Sequence, residues 1–178
     1  MFHHASLRSG QHVFVNGASG SVGGYVVQLA KWAGAHLTAT AGLSSIERVR
    51  RLGAARVIDY TSVSLVSALS GMIEPVDVVI NVVAASEAEM LALFERLRNG
   101  GALVSATTPV PPVAAQRGVR AARMASRSDA AQLATLVRLE EGGQLEVFIS
   151  DQRPLTELPE VHELAETGKL HGKTIFVP

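Results

Sequence analysis

The sequence predicts an α/β domain, a doubly wound parallel sheet of six strands in the order 3-2-1-4-5-6. Three observations predict it. Short runs of apolar β-formers alternate with segments of helical period, and the loops between them are short. One run is apolar almost throughout, as a strand covered on both faces must be. A cluster of glycines follows the first run directly, at the carboxyl end where such sheets hold ligands.

The elements follow in order. Residues 12–16 (HVFVN) form the first strand, bounded by Gly10 and Gly17. A helix over 21–33 carries Val22, Val26, Leu29, Ala30 and Ala33 at helical spacing, and Gly34 ends it. Residues 36–41 (HLTATA) make the second strand. A short basic helix over 44–52 turns Ile46, Val49 and Leu52 inward, and Gly53 closes it. Residues 56–59 (RVID) are the third strand, and 62–70 a helix despite its serines and valines. Residues 77–82 (DVVINV) are the fourth strand, the one that is nearly all apolar. A helix over 86–98 buries Met90, Leu93, Phe94 and Leu97. Asn99, Gly100 and Gly101 then turn the chain into a fifth strand at 102–106. Residues 107–118 are proline-rich and read as one ordered loop. A sixth strand covers 118–124, and a helix over 129–141 offers Leu133, Leu136, Val137 and Leu139 for burial.

Composition narrows the function classes. Of the 178 residues, 47% are hydrophobic and 18% charged, which suits a packed core. Lysine plus arginine and aspartate plus glutamate are balanced at 16 each, so no global field attracts nucleic acid or anionic membrane. Cysteine is absent, which removes disulfides, thiolate zinc sites and a cysteine nucleophile. A reducing cytoplasm is the expected location. No apolar run approaches the ~20 residues that span a bilayer.

The glycine turn carries the chemistry. Gly17, Gly20 and Gly23 are spaced by three, and from Ala18 the stretch reads A-x-G-x-x-G, one methyl from the dinucleotide fingerprint. Backbone N–H groups at a helix start are unpaired, and the helix dipole favours an anion there. Gly20 lets a pyrophosphate approach the backbone, Gly23 lets the helix sit close on the strand, and Ser19 and Ser21 add hydroxyls. An NAD site carries an acid ~20 residues on to grip the ribose. Here that count reaches Thr40, Ala41 and Gly42, followed by Ser44, Ser45 and Arg48. The missing acid favours NADP(H) over NAD(H). For Arg48 two readings stand: a phosphate partner, or a solvated helix face shared with Arg50 and Arg51.

The stretches VNGASGSVGGYVVQLAKWAGA, RRLGAARVIDYT, LRNGGALVS and TGKLHGKTIFVP resemble, in this order, the cofactor half of the medium-chain dehydrogenase/reductase superfamily. They are most similar to its zinc-independent branch of quinone oxidoreductases and enoyl reductases. The resemblance implies a Rossmann domain over 1–145. It implies that Ser19, Gly20, Ser21, Val22 and Gly23 hold the pyrophosphate. Gly42, Ser44, Ser45 and Tyr60 then surround the adenosine end, and Asn81, Val83 and Thr107 line the nicotinamide channel. It implies hydride transfer to a small molecule (a quinone, enone or related carbonyl), no metal, and a homodimer joined through the sixth strand.

Three departures qualify it. Many NADP-binding relatives carry lysine or arginine where this chain has Ser45, and relatives often have aspartate and glycine where Asn81 and Ala84 stand. The family's catalytic domain, a GroES-like barrel, is not expected within these 178 residues. Residues 146–178 resemble a strand-helix-strand unit that packs towards that domain, with strands expected at 146–149 and 174–177. Here that unit has three fates open to it: the sheet edge, exchange with a second copy, or disorder. A truncated fragment inactive alone, or a non-enzymatic nucleotide-binding or dimerisation module, is the alternative.

Other chemistry is weaker. His3 and His4 lack the convergent partners a metal needs, as do His162 and His171. The turn does not match G-x-S-x-G, because in Gly17-Ala18-Ser19-Gly20 the second glycine comes one residue too early. No residue stands out as a general acid or base, so catalytic residues are unknown.

Overall fold

A computed structural model describes residues 2–112, 117–170 and 172–178. A short helix, α1 (Phe2–Ala5), leads into β1 (His12–Asn16), α2 (Ser21–Trp32), β2 (His36–Ala41), α3 (Ile46–Leu52) and β3 (Arg56–Asp59). The second half continues with α4 (Leu65–Ser70), β4 (Val76–Asn81), α5 (Glu87–Glu95), β5 (Leu97–Ser105), β6 (Arg120–Arg123) and α6 (Ala130–Glu141). The chain closes with β7 (Asp151–Pro154), α7 (Leu158–Glu166) and β8 (Thr174–Val177). Six strands form one parallel sheet in the order β3-β2-β1-β4-β5-β6, as the alternation predicts. β7 and β8 pair with each other in a separate parallel ribbon.

Strand alternation sorts the core into two layers. Val13, Val15, Leu37, Ala39, Val78 and Ile80 face α2 and α3, against Val27, Ala30, Val49 and Leu52. Phe14, Ile58, Val79 and Leu103 face α4 and α5, against Leu65, Leu69, Met90 and Leu93. Each fully buried large side chain contributes roughly 1.5–3 kcal/mol. Ser86 caps α5 in a reciprocal capping box with Glu89, so the helix starts at Glu87, one residue later than expected.

Several boundaries and faces differ from the sequence reading. Leu97 ends no helix; it opens β5, and the predicted Asn99-Gly100-Gly101 turn is a bulge inside that strand. The register passes from Val76 opposite Leu97 to Val78 opposite Ala102, and Gly100 takes φ +74° to absorb the extra residues. The predicted strand at 146–149 is not one. That segment lies irregularly along α2, and the strand forms at β7 instead. Gln28 explains this, donating Nε2 to the Glu146 carbonyl at 3.1 Å and accepting the Glu146 N–H at 2.6 Å. Those backbone groups are therefore engaged by a side chain, not by a ladder.

Two helices bury their expected stripes only in part: Ala30 and Leu139 are buried and Val26 packs against the core as expected. On α2 the buried residues are Gly23, Gly24, Val27, Gln28 and Ala30, a face that shares Ala30 with the predicted stripe but turns Val22 to solvent. On α6 only Leu139 is buried, while Leu133 and Val137 face solvent. Part of the proline-rich loop, 113–116, and His171 lie outside the described residues.

The rotation of α2 has one cause. A Cβ at Gly23 would stand 2.0 Å from the Gly17 carbonyl oxygen and 2.8 Å from Ala18 Cα. Only glycine lets the helix come this close to the end of β1. Gly23→Ala is expected to destabilise the chain by about 2–3 kcal/mol, the overpacking range, and to lower Tm by roughly 5–10 °C. A thermal melt unchanged within a degree would refute the contact.

Candidate cofactor site

Four adjacent strands bring a polar side chain to the carboxyl edge of the sheet: Thr40 on β2, Asn16 on β1, Asn81 on β4 and Ser105 on β5. All four are buried. Buried polar groups must bond, and these bond one another. Thr40 Oγ1 donates to Asn16 Oδ1 at 2.8 Å, Asn16 Nδ2 donates to Asn81 Oδ1 at 2.9 Å, and Asn81 Nδ2 donates to Ser105 Oγ at 3.2 Å. The row also holds the loops above it. The Gly17 N–H donates to Thr40 Oγ1 at 2.9 Å, Asn81 Nδ2 donates to the Val83 carbonyl at 2.9 Å, and the Thr108 N–H donates to Ser105 Oγ at 3.1 Å.

The glycine turn is thus fixed at both ends. Gly17 takes φ +96°, and a Cβ there would meet Val83 Cγ1 at 2.4 Å. Gly20 precedes α2 in extended backbone, with no side-chain cap and no acid in the first turn. Helix geometry leaves the N–H groups of Ser21, Val22 and Gly23 without intrahelical acceptors. A Cβ at Gly20 would have only the Gly17 oxygen within 4 Å, at 3.7 Å. The fold itself does not require glycine at 20, and the open space lies beside unpaired donors. These residues fit a dinucleotide's pyrophosphate.

The other predicted site residues form two groups. At the end of β2, a Cβ on Gly42 would meet the Tyr60 hydroxyl at 3.1 Å, and the Ser45 N–H donates to the Gly42 carbonyl at 2.8 Å. Ser44 and Ser45 sit in a short 3-10 turn, Leu43–Ser45, ahead of α3. No carboxylate ends β2. Asp59, opposite Ala41 in register, turns its carboxylate to the Thr61 N–H at 2.9 Å and hydroxyl at 2.6 Å. Those hydrogen bonds hold its carboxyl below the ordinary range. Near β4, Thr107 Oγ1 donates to the Val83 carbonyl at 2.5 Å. Thr107 and Val83 are exposed, whereas Asn81 is fully buried and acts on them from below.

Arg48 is not on a solvated face. Its Nη2 donates to the Ser19 carbonyl at 2.5 Å, and its guanidinium lies 4.3 Å from the centre of the Phe148 ring. Burial disfavours its charge, Arg51 adds to that effect, and Glu146 opposes it. Phe148 escaped the sequence reading because it lies 100 positions beyond Arg48, and local spacing carries no signal of a contact over that distance. The polar row left a trace: each of these strands carries a small polar residue at or near its end.

The family model described as zinc-binding dehydrogenase matches residues 52–176. The chain belongs to that family. It is 30% identical over 175 residues to the chloroplast envelope quinone oxidoreductase homolog of Arabidopsis thaliana, covering 94% of this chain and 52% of the relative. It is 27% identical to a mitochondrial NAD(P)H oxidoreductase of Homo sapiens, covering 94% and 48%. The solved quinone oxidoreductase of Coxiella burnetii superposes with a TM-score of 0.86 at 29% identity, over 98% of this chain and 55% of that one. The chain therefore spans about half the length of the curated relatives it matches. Among the described residues of this family member, no three histidines or carboxylates converge as metal ligands.

Asn81→Ala would leave donors and acceptors on Asn16 and Ser105 unpaired and free the Val83 loop. The expected loss is about 2–3 kcal/mol by urea denaturation. A loss below roughly 0.5 kcal/mol would show the row to be dispensable.

Proposed function

We propose that this chain is the NADP(H)-binding domain of an oxidoreductase that delivers hydride to a quinone, enone or related carbonyl. One observation carries the reading: a glycine turn built to the limit of contact at Gly23 yet open at Gly20, beside an uncapped α2 N-terminus. When bound, the nicotinamide supplies the hydride, and the protein supplies position and electrostatics.

The N–H groups of Ser21, Val22 and Gly23, with the hydroxyls of Ser19 and Ser21, hold the pyrophosphate. Gly42, Ser44, Ser45 and Tyr60 receive the adenosine end. The phosphorylated cofactor is preferred because β2 ends without a carboxylate and Asp59 is engaged by Thr61. Val83 and Thr107 border the nicotinamide, and Asn81 holds them in place. Residues 1–145 are the cofactor unit, and 146–178 face a catalytic domain that supplies the other wall of the substrate cleft and works without zinc. The exposed Leu133 and Val137 on α6 suit such a neighbour. Two copies pair through the edge strand β6, with no role for nucleic acid or membrane, in the cytoplasm. Among the described residues no helix is long and apolar enough to cross a membrane. The half-length match favours a second reading, in which this chain alone binds nucleotide without turnover.

Titration by NADPH and NADH fluorescence tests the reading. NADPH is expected to bind more tightly than NADH. Gly20→Ala is expected to melt near the wild-type temperature yet weaken both by roughly 10-fold, about 1.4 kcal/mol. Failure of the unaltered chain to bind either nucleotide at millimolar concentration would sink the proposal.

A further inference from the structure

Arg48 is a cation with no carboxylate paired to it among the described residues. Among the described residues no carboxylate lies within ion-pair distance of it; the nearby Glu146 pairs with Arg51 at 3.6 Å. One of its five N–H donors reaches the Ser19 carbonyl, and Phe148 covers one face of the guanidinium. A half-buried charge left unpaired is unfavourable, and a protein that keeps one has a counter-charge arriving from elsewhere.

The surroundings say which counter-charge. Arg48 lines a cavity of about 360 Å³ together with Ser19 and Ser21 from the glycine turn and Phe148, Gly172 and Lys173 from the trailing segment. Ser21 Oγ already donates across it to the Gly172 carbonyl at 3.3 Å. Two cations and two hydroxyls meet there, beside the uncapped start of α2; the one carboxylate in the described lining, Glu146, is paired with Arg51. The guanidinium lies against Ser19 and Gly24, with Nη1 3.7 Å from where a Gly24 Cβ would stand. It is thus at the turn, not among Gly42, Ser44 and Ser45. Arginine's planar fork, unlike a point charge, matches two oxygens of a phosphate at once.

We infer that Arg48 receives the pyrophosphate of the dinucleotide, and that Phe148 of the trailing segment positions Arg48 for it. This rests on the nucleotide-binding reading and deepens it. The trailing segment, remote in sequence, is then part of the nucleotide site. Its anchor is local: Gln28 pins Glu146 on α2, and Phe148 two residues on reaches the guanidinium. Because the pyrophosphate is common to both cofactors, Arg48 sets affinity for both and does not choose between them.

The test uses the 178-residue chain and three probes: NADPH, NADH and adenosine 2′-monophosphate, which has the adenosine end but no pyrophosphate. Arg48→Gln is expected to weaken NADPH and NADH alike by roughly 10-fold or more, the size of one charge-assisted hydrogen bond, and to leave the monophosphate unchanged. It is also expected to flatten the salt dependence of NADPH binding. Arg48→Lys recovers part of the loss. Phe148→Ala weakens both dinucleotides by about 3-fold, the size of an exposed cation–π contact. In the double variant the loss equals that of Arg48→Gln alone, because Phe148 acts through Arg48. Arg50→Gln, on the exposed face, serves as control. A loss confined to NADPH, or shared by the monophosphate, would overturn the assignment, as would additive losses in the double variant. If the unaltered chain binds no dinucleotide, the nucleotide reading itself fails; if it binds and Arg48→Gln binds equally well, only this inference does.

Discussion

The Gly17 carbonyl oxygen stands where a side chain on residue 23 would have to go. That contact sets how α2 meets β1, and much else depends on it. It rotates the helix so that Gly24, Val27 and Ala30 face the sheet and Val22 faces solvent. It brings the helix N-terminus directly over the end of the central strand. It also leaves Gly20 at the outside of the turn, with space in front of it. Steric exclusion on one side and open backbone on the other come from the same close approach.

The approach is held from below by hydrogen bonds. Thr40, Asn16, Asn81 and Ser105 form a buried row across four strands, and the glycine turn and the loops after β4 and β5 bond to it. In a low-dielectric setting such a row is rigid when every member is satisfied. The site is therefore built on strand ends, where backbone ladders fix position, while its exposed members sit in short turns above. Val83 and Thr107 are tied to each other and to Asn81, and Gly42 is held beneath Tyr60.

The trailing segment adds a second layer. Gln28 captures the backbone of Glu146 and so prevents a strand from forming where apolar residues would favour one. Phe148 is thereby brought to Arg48, and the pairing of β7 with β8 begins only afterwards. The exposed apolar face of α6 and the separate ribbon agree with a chain that covers about half of its relatives.

The sequence by itself determined the alternation of strands and helices, the sheet order and the glycine turn. These follow from local periodicity and from residues such as Gly17 and Gly23 that few conformations accept. It placed Ser19, Gly20 and Ser21 at the turn, and Gly42 beside Tyr60, through a family resemblance carried by motifs in order. Tertiary structure alone decided which face of α2 is buried, because Val22, Val26 and Leu29 form as good an apolar stripe as Val27 and Ala30 until the Gly17 contact selects. It alone decided that residues 146–149 are not a strand, since a glutamine far away in sequence takes both backbone hydrogen bonds of Glu146. It alone brought Phe148 to Arg48. Local pattern encodes what a segment prefers, and only packing decides which of several preferred partners it meets.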